Sequence, residues 1–222
     1  MAFATNPISV TAYIDLLTDF VNAQPTNYEH LGEVLELWTT SSNQTIIQQP
    51  EGEYYRKFDF NRDGQAEILI TLPTNHPAIL ILLTPDSNGM YQPMWKLVSD
   101  YPNDYRIWLV RDLTADGNVE IVMSAVACGA HTCSQTINIL QWQATTLNSI
   151  LELNAANPTV LWSDLTADGT IELIVDRGKI GSDGAGMQRK QTEIYQWDGS
   201  RYTLNSITPD SSCFATPILA ID

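Results

Sequence analysis

The chain has 222 residues, 44% of them hydrophobic, enough to bury a sizeable core and too many for wholesale disorder. Its 26 acidic residues outnumber 11 basic ones, and the net charge of −15 repels phosphate backbones and anionic membranes, which sets nucleic acid aside as a partner. No apolar run approaches the roughly 18 residues that a membrane span needs, and the opening MAFATNPISV has neither the basic start nor the apolar stretch of a secretion leader.

Residues 1–45 read as a helical segment. Val10, Tyr13, Leu17, Phe20 and Val21 recur at helical spacing and predict one apolar face. QPTN breaks the pattern, and Thr26 with Glu29 fits a capping box that opens a second helix, with Leu31, Val34, Leu35 and Trp38 inward. TTSSNQT at 39–45 reads as a linker.

From residue 46 onward apolar runs shorten to four to eight residues, bounded by Gly, Pro, Asn and Asp, as strands are. This part repeats. DLTADG occurs at 112–117 and 164–169, and DFNRDG at 59–64 is a looser copy; 53 positions separate Asp59 from Asp112 and 52 separate Asp112 from Asp164. TLNSI occurs at 146–150 and 203–207, and Trp142 and Trp197 follow the same beat. A fixed period carrying several markers is one structural unit copied.

Three units follow, at about 50–102, 103–155 and 156–210, and each divides into four strand-like pieces. In the first these are EYYRKFDF, AEILITL, AILILL and MYQPMWKLV; in the second YRIWLVRDL, VEIVMSAVA, SQTINILQW and TLNSILEL; in the third TVLWSDL, IELIVDR, TEIYQW and RYTLNSI. The predicted class is therefore mainly β with a short N-terminal helical segment. Four antiparallel strands in about 50 residues match a propeller blade. Three blades make a partial arc, either cut from a longer propeller, paired with a second copy, or covered by the helices. A β-sandwich and a stacked solenoid are the alternatives.

The acidic phrase spans nine positions in each unit. Oxygen-bearing side chains hold positions one, three, five and nine: Asp59, Asn61, Asp63 and Glu67; Asp112, Thr114, Asp116 and Glu120; Asp164, Thr166, Asp168 and Glu172. Glycine at six permits a turn that aims the carbonyl of position seven (Gln65, Asn118, Thr170) inward. Calcium takes six to eight oxygen ligands in a flexible shell. An EF-hand is excluded, because it needs an acid at position twelve, where Ile70, Met123 and Val175 stand. Asp-Gly between strands also fits a metal-free turn. That reading requires only two of the residues that all three copies keep.

These loops resemble the FG-GAP, or integrin-alpha-like, calcium-binding β-propeller repeat, also found in bacterial surface proteins. The resemblance covers roughly residues 50–210 and is specific at the loops. It implies Asp59, Asn61, Asp63 and Glu67 as calcium ligands, with Asp112, Asp116, Glu120, Asp164, Asp168 and Glu172 matching them. It further implies a non-enzymatic module for recognition or structure in a secreted or envelope protein, with a protein or glycan ligand. The rival readings are an accessory domain of a carbohydrate-active enzyme and a metal-free intracellular scaffold in the cytoplasm.

ACGAHTCS places Cys128, His131 and Cys133 between the second and third pieces of the middle unit. A disulfide across this hairpin, a zinc site that lacks a fourth ligand, and free thiols all fit the spacing. Cys213 is left over. GKIGSDGAGMQ at 178–188 is glycine-rich but lies between strands, so it reads as a long hairpin and not as a phosphate loop. No independent nucleophile or base is legible, and the expectation is that the chain is not an enzyme.

Overall fold

The computed structural model describes residues 9–23, 53–72, 78–99, 104–128, 133–143, 146–178 and 190–209. Elements run in the order α1 (Val10–Ala23), β1 (Tyr55–Phe58), β2 (Glu67–Leu72), β3 (Ala78–Pro85), β4 (Tyr91–Ser99), β5 (Asp104–Arg111), β6 (Glu120–Cys128), β7 (Cys133–Gln143), β8 (Thr146–Ser163), β9 (Glu172–Gly178), β10 (Lys190–Trp197) and β11 (Tyr202–Pro209). Among the described residues the protein is mainly β with one short helix. The second helix expected after Thr26, and the linker behind it, lie outside the described residues.

Helix α1 starts at Ser9, whose hydroxyl oxygen accepts the Ala12 N–H at 3.2 Å, as an N-cap does. Its buried stripe is Ile14, Leu17 and Val21, flanked by Val10, Tyr13 and Phe20, so the expected face is right and Ile14 joins it. The stripe packs on Ile68, Ile70, Ile79, Ile81 and Leu83 of the first unit. Asn22 fixes the end of the helix in both directions: its amide donates to the Tyr91 carbonyl at 3.0 Å and its oxygen accepts the Tyr91 N–H at 2.7 Å.

Strands β1 to β4 form a four-stranded antiparallel sheet in sequence order, and β5 to β11 form a seven-stranded one, also in sequence order. Both sheets are open. The larger one holds two units, because β8 changes partners along its length. Its first half, Thr146 to Ala156, pairs with β7. Its second half, Thr159 to Ser163, pairs with β9, after a register shift between Ala156 and Thr159. Two of the expected strands are thus one 18-residue strand. Pro158 falls inside the shift, where the ladder asks for no N–H from it.

The units pack face against face. Phe60, Leu69, Leu80 and Leu82 of the first meet Tyr105, Ile107, Ile121 and Met123 of the second. Leu113, Val122, Ile137 and Ile139 of the second meet Leu173, Val175, Tyr195 and Tyr202 of the third. A two-residue bridge, Glu53 with Ile107, ties the first sheet to the second through bonds of 2.8 and 2.9 Å. Among the described residues no helix is long and apolar enough to cross a membrane.

Candidate metal centre: the three acidic loops

Each acidic loop joins the first strand of a unit to the second: β1 to β2, β5 to β6, and β8 to β9. Position four takes a left-handed conformation in all three, with φ of 63° at Arg62, 56° at Ala115 and 58° at Ala167. The glycine at position six is left-handed too, at 88°, 86° and 91°. Glycine accepts this without cost, whereas arginine and alanine do not. The conformation at position four was not legible, since neither residue favours it.

The position-one aspartate holds that turn. Asp59 accepts the N–H of Asp63 at 3.1 Å and of Gly64 at 3.0 Å; Asp164 accepts those of Asp168 at 3.2 Å and Gly169 at 3.0 Å. Asp112 accepts only Gly117 N–H, at 3.0 Å, and its Oδ1 is buried with no partner. The position-five aspartate accepts the position-seven N–H in every copy, at 2.8, 2.7 and 2.8 Å. In the third loop the Thr170 hydroxyl and N–H bonds hold Asp168 below the usual carboxylate range.

The glutamate at position nine opens the second strand and turns back into the loop. Glu67 and Glu120 are fully buried, and Glu172 is 2% exposed. Each accepts the position-two N–H, from Phe60 at 2.8 Å, Leu113 at 2.6 Å and Leu165 at 2.6 Å. A buried carboxylate is costly unless its charge is met. Burial raises Glu67 above the usual range; Asp63 and Asp59 push the same way, while the Phe60 N–H opposes them. Burial pushes Glu120 up to about 7, aided by Asp116 and Asp112 and opposed by the Leu113 N–H and the Gln141 amide.

The third strand supplies a neighbour that sequence reasoning passed over. Gln141 is the register partner of Glu120. Its amide nitrogen donates to Asp116 Oδ2 at 2.9 Å and to Glu120 Oε1 at 2.8 Å, bridging positions five and nine. Thr84 and Gln196 reach the other two glutamates only at 3.4 and 3.5 Å. In the first loop Asn61 makes the corresponding bridge, to Asp63 and Glu67 at 3.0 Å each. The signal for Gln141 and Gln196 was the glutamine before each tryptophan, in ILQWQ and IYQWDG.

The loops stand side by side. The Arg62 guanidinium lies where a Cβ on Gly117 would meet it at 3.2 Å, and a Cβ on Gly169 would meet that of Ala115 at 3.7 Å. The apolar residue at position two is buried between units in the first two copies, with Phe60 at 2% and Leu113 at 0% exposure, while Leu165 is 49% exposed. The third unit has no later unit among the described residues to cover it.

The expected side chains of each copy lie together in one loop. Most of their oxygens accept N–H groups and amides; among the described residues no group of three or more Asp, Glu, His or Cys side chains could hold a metal ion. The donor set is all oxygen, as a hard cation requires, and two of its buried oxygens, Asp112 Oδ1 and Thr114 Oγ1, have no partner. The residues therefore fit calcium in kind. Cys128 stands directly opposite Cys133 in the β6–β7 register. His131 and Cys213 lie outside the described residues, as does most of the glycine-rich hairpin. No protein-family model matches the chain, and no curated protein matches it either.

Proposed function

We propose that the chain is a calcium-stabilised, propeller-like β-repeat module that serves recognition or structure, not catalysis. The observation that carries this reading is the middle loop. There a fully buried Glu120 sits beside Asp112 and Asp116, with one Asp112 oxygen and the Thr114 hydroxyl buried and unpartnered. A divalent cation would meet all of these groups at once. Its ligands would be Asp112, Thr114, Asp116, the Asn118 carbonyl and Glu120, with the matching residues in the other loops. What calcium supplies is charge neutralisation and a cross-link among loop positions. The protein supplies a turn already set by the left-handed residues at positions four and six.

A second reading has its own support. The bonds within each loop close it without metal, so the acidic phrase can serve as a turn alone. Thermal melting separates the two. A cation that binds only the folded form raises its stability by mass action. Protein stripped with a chelator and returned to millimolar calcium should melt several degrees higher, and magnesium should do less. An unchanged melting temperature would leave the metal-free turn standing.

A further inference from the structure

A line of three amides runs into the middle loop. The Asn148 amide donates to Gln143 Oε1 at 3.2 Å, the Gln143 amide donates to Gln141 Oε1 at 2.8 Å, and the Gln141 amide donates to Asp116 and Glu120. Gln141 is 3% exposed, so its head group is held by these partners rather than by solvent. It comes from β7 and not from the loop. Beside it Thr114 is 4% exposed, with its hydroxyl oxygen buried and unpartnered; the equivalent Thr166 turns its hydroxyl to Glu172 at 3.3 Å. The middle loop thus holds a buried, unanswered oxygen as well as a donor from another strand.

We propose that Gln141 is a built-in stand-in for the cation at the middle loop, and that the amide line reverses when a divalent cation takes its place. The inference rests on the calcium reading. A primary amide carries donors at one end and an acceptor at the other, and half a turn of its last torsion exchanges them. With the nitrogen inward, Gln141 offers its positive end to two carboxylates that would otherwise repel. With the oxygen inward it offers a neutral ligand of the kind calcium takes from Asn and Gln. Gln141 then points a donor at Gln143, so Gln143 must turn over, and Asn148 after it. Neither Thr84 nor Gln196 bridges positions five and nine in the other units, so the line belongs to the second unit alone.

The test uses the full chain with Gln141→Leu and Gln141→Glu, melted in chelator and in millimolar calcium. Bonds to charged groups are lost in both variants, so in chelator both should melt roughly 3–6 °C below the parent. Gln141→Glu, which presents only oxygens, should show a larger calcium-induced rise than the parent, and Gln141→Leu a smaller one. Gln143→Leu, at an exposed position, cuts the line without touching the carboxylates and serves if a Gln141 variant does not fold. It should melt slightly lower in chelator and gain more from calcium, because Gln141 is then freer to turn. If the parent responds to calcium while Gln141→Leu matches it in both solutions, Gln141 is a bystander and the proposal falls. A rise in Gln141→Glu no larger than the parent's defeats the reversal. If the parent itself gains nothing from calcium, the calcium reading is what fails, and the reversal fails with it; a chelator melt of Gln141→Leu equal to the parent's would remove the bridging role as well.

Discussion

Two kinds of buried carboxylate occur in this fold, and they are met in opposite ways. Glu193 on β10 is 1% exposed and pairs with Arg177 at 2.7 Å. It also accepts the Tyr195 hydroxyl at 2.7 Å and a Gln191 amide bond. Burial alone would raise it, yet Arg177, Tyr195 and Gln191 together hold it below the usual carboxylate range. Tyr195 is raised in return, by burial and by its bond to Glu193. Glu67 and Glu120 are as deeply buried, but what acts on them is neutral donors and negative aspartates. One site carries its own cation. The other is met by neutral N–H and amide donors.

The largest effect should come from turning the first kind into the second. Arg177→Met leaves Glu193 buried and unmatched and should cost about 3 kcal/mol, read from urea unfolding. Arg177→Met with Glu193→Leu should recover most of that loss, because neither charge is then buried alone. A single variant as stable as the parent would erase the contrast.

A smaller effect of opposite sign is expected at the loops. Glu120→Gln keeps an oxygen for the Leu113 N–H while removing the charge. In chelator at pH 8 it should raise the melting temperature by roughly 2–4 °C, about 1 kcal/mol for a chain of this size, and it should blunt the response to calcium. Glu193→Gln should lower the melting temperature under the same conditions. The two substitutions are chemically identical, so a shared sign would break the comparison.

The gentlest test is pH. Glu120 is raised, so in chelator its share of stability is complete below the ordinary glutamate range and is lost as pH rises through about 7. Glu193 is lowered, so its share is present above the ordinary range and is lost as pH falls through its folded value. Melting temperature against pH, in parent and Glu120→Gln, should differ most on the alkaline side and converge in acid.

Much of this fold was legible because strands announce themselves. Short apolar runs between Asp, Asn and Gly placed nearly every strand within a residue or two, and the 53- and 52-position spacing marked the three strand-connecting loops, although the expected boundary at 155–156 falls inside β8. The expected pieces TLNSILEL and TVLWSDL left 154–158 between them as a gap; the gap is strand, and it is where one strand exchanges partners. At the loops the oxygen-bearing side chains were visible as residue types at fixed positions. The buried state of the position-nine glutamates was not, because it depends on each side chain turning back onto the position-two N–H of its own loop. Gln141 escaped for a related reason: its tie to Glu120 is a register fact, 21 positions away along the chain.

Strand β8 carries a consequence for how the molecule comes apart. Its two halves complete two different units, so neither can lose its share of the strand without unravelling an edge of the other. Cooperativity is therefore written into the covalent chain, and the second and third units should melt in one step. The first unit joins them through apolar packing, the two-residue bridge of Glu53 with Ile107, and the Arg106 guanidinium that donates to the Tyr54 hydroxyl and stacks on its ring, with no shared strand among the described residues. It is the natural place for partial opening, and hydrogen exchange should find its amides the earlier to yield.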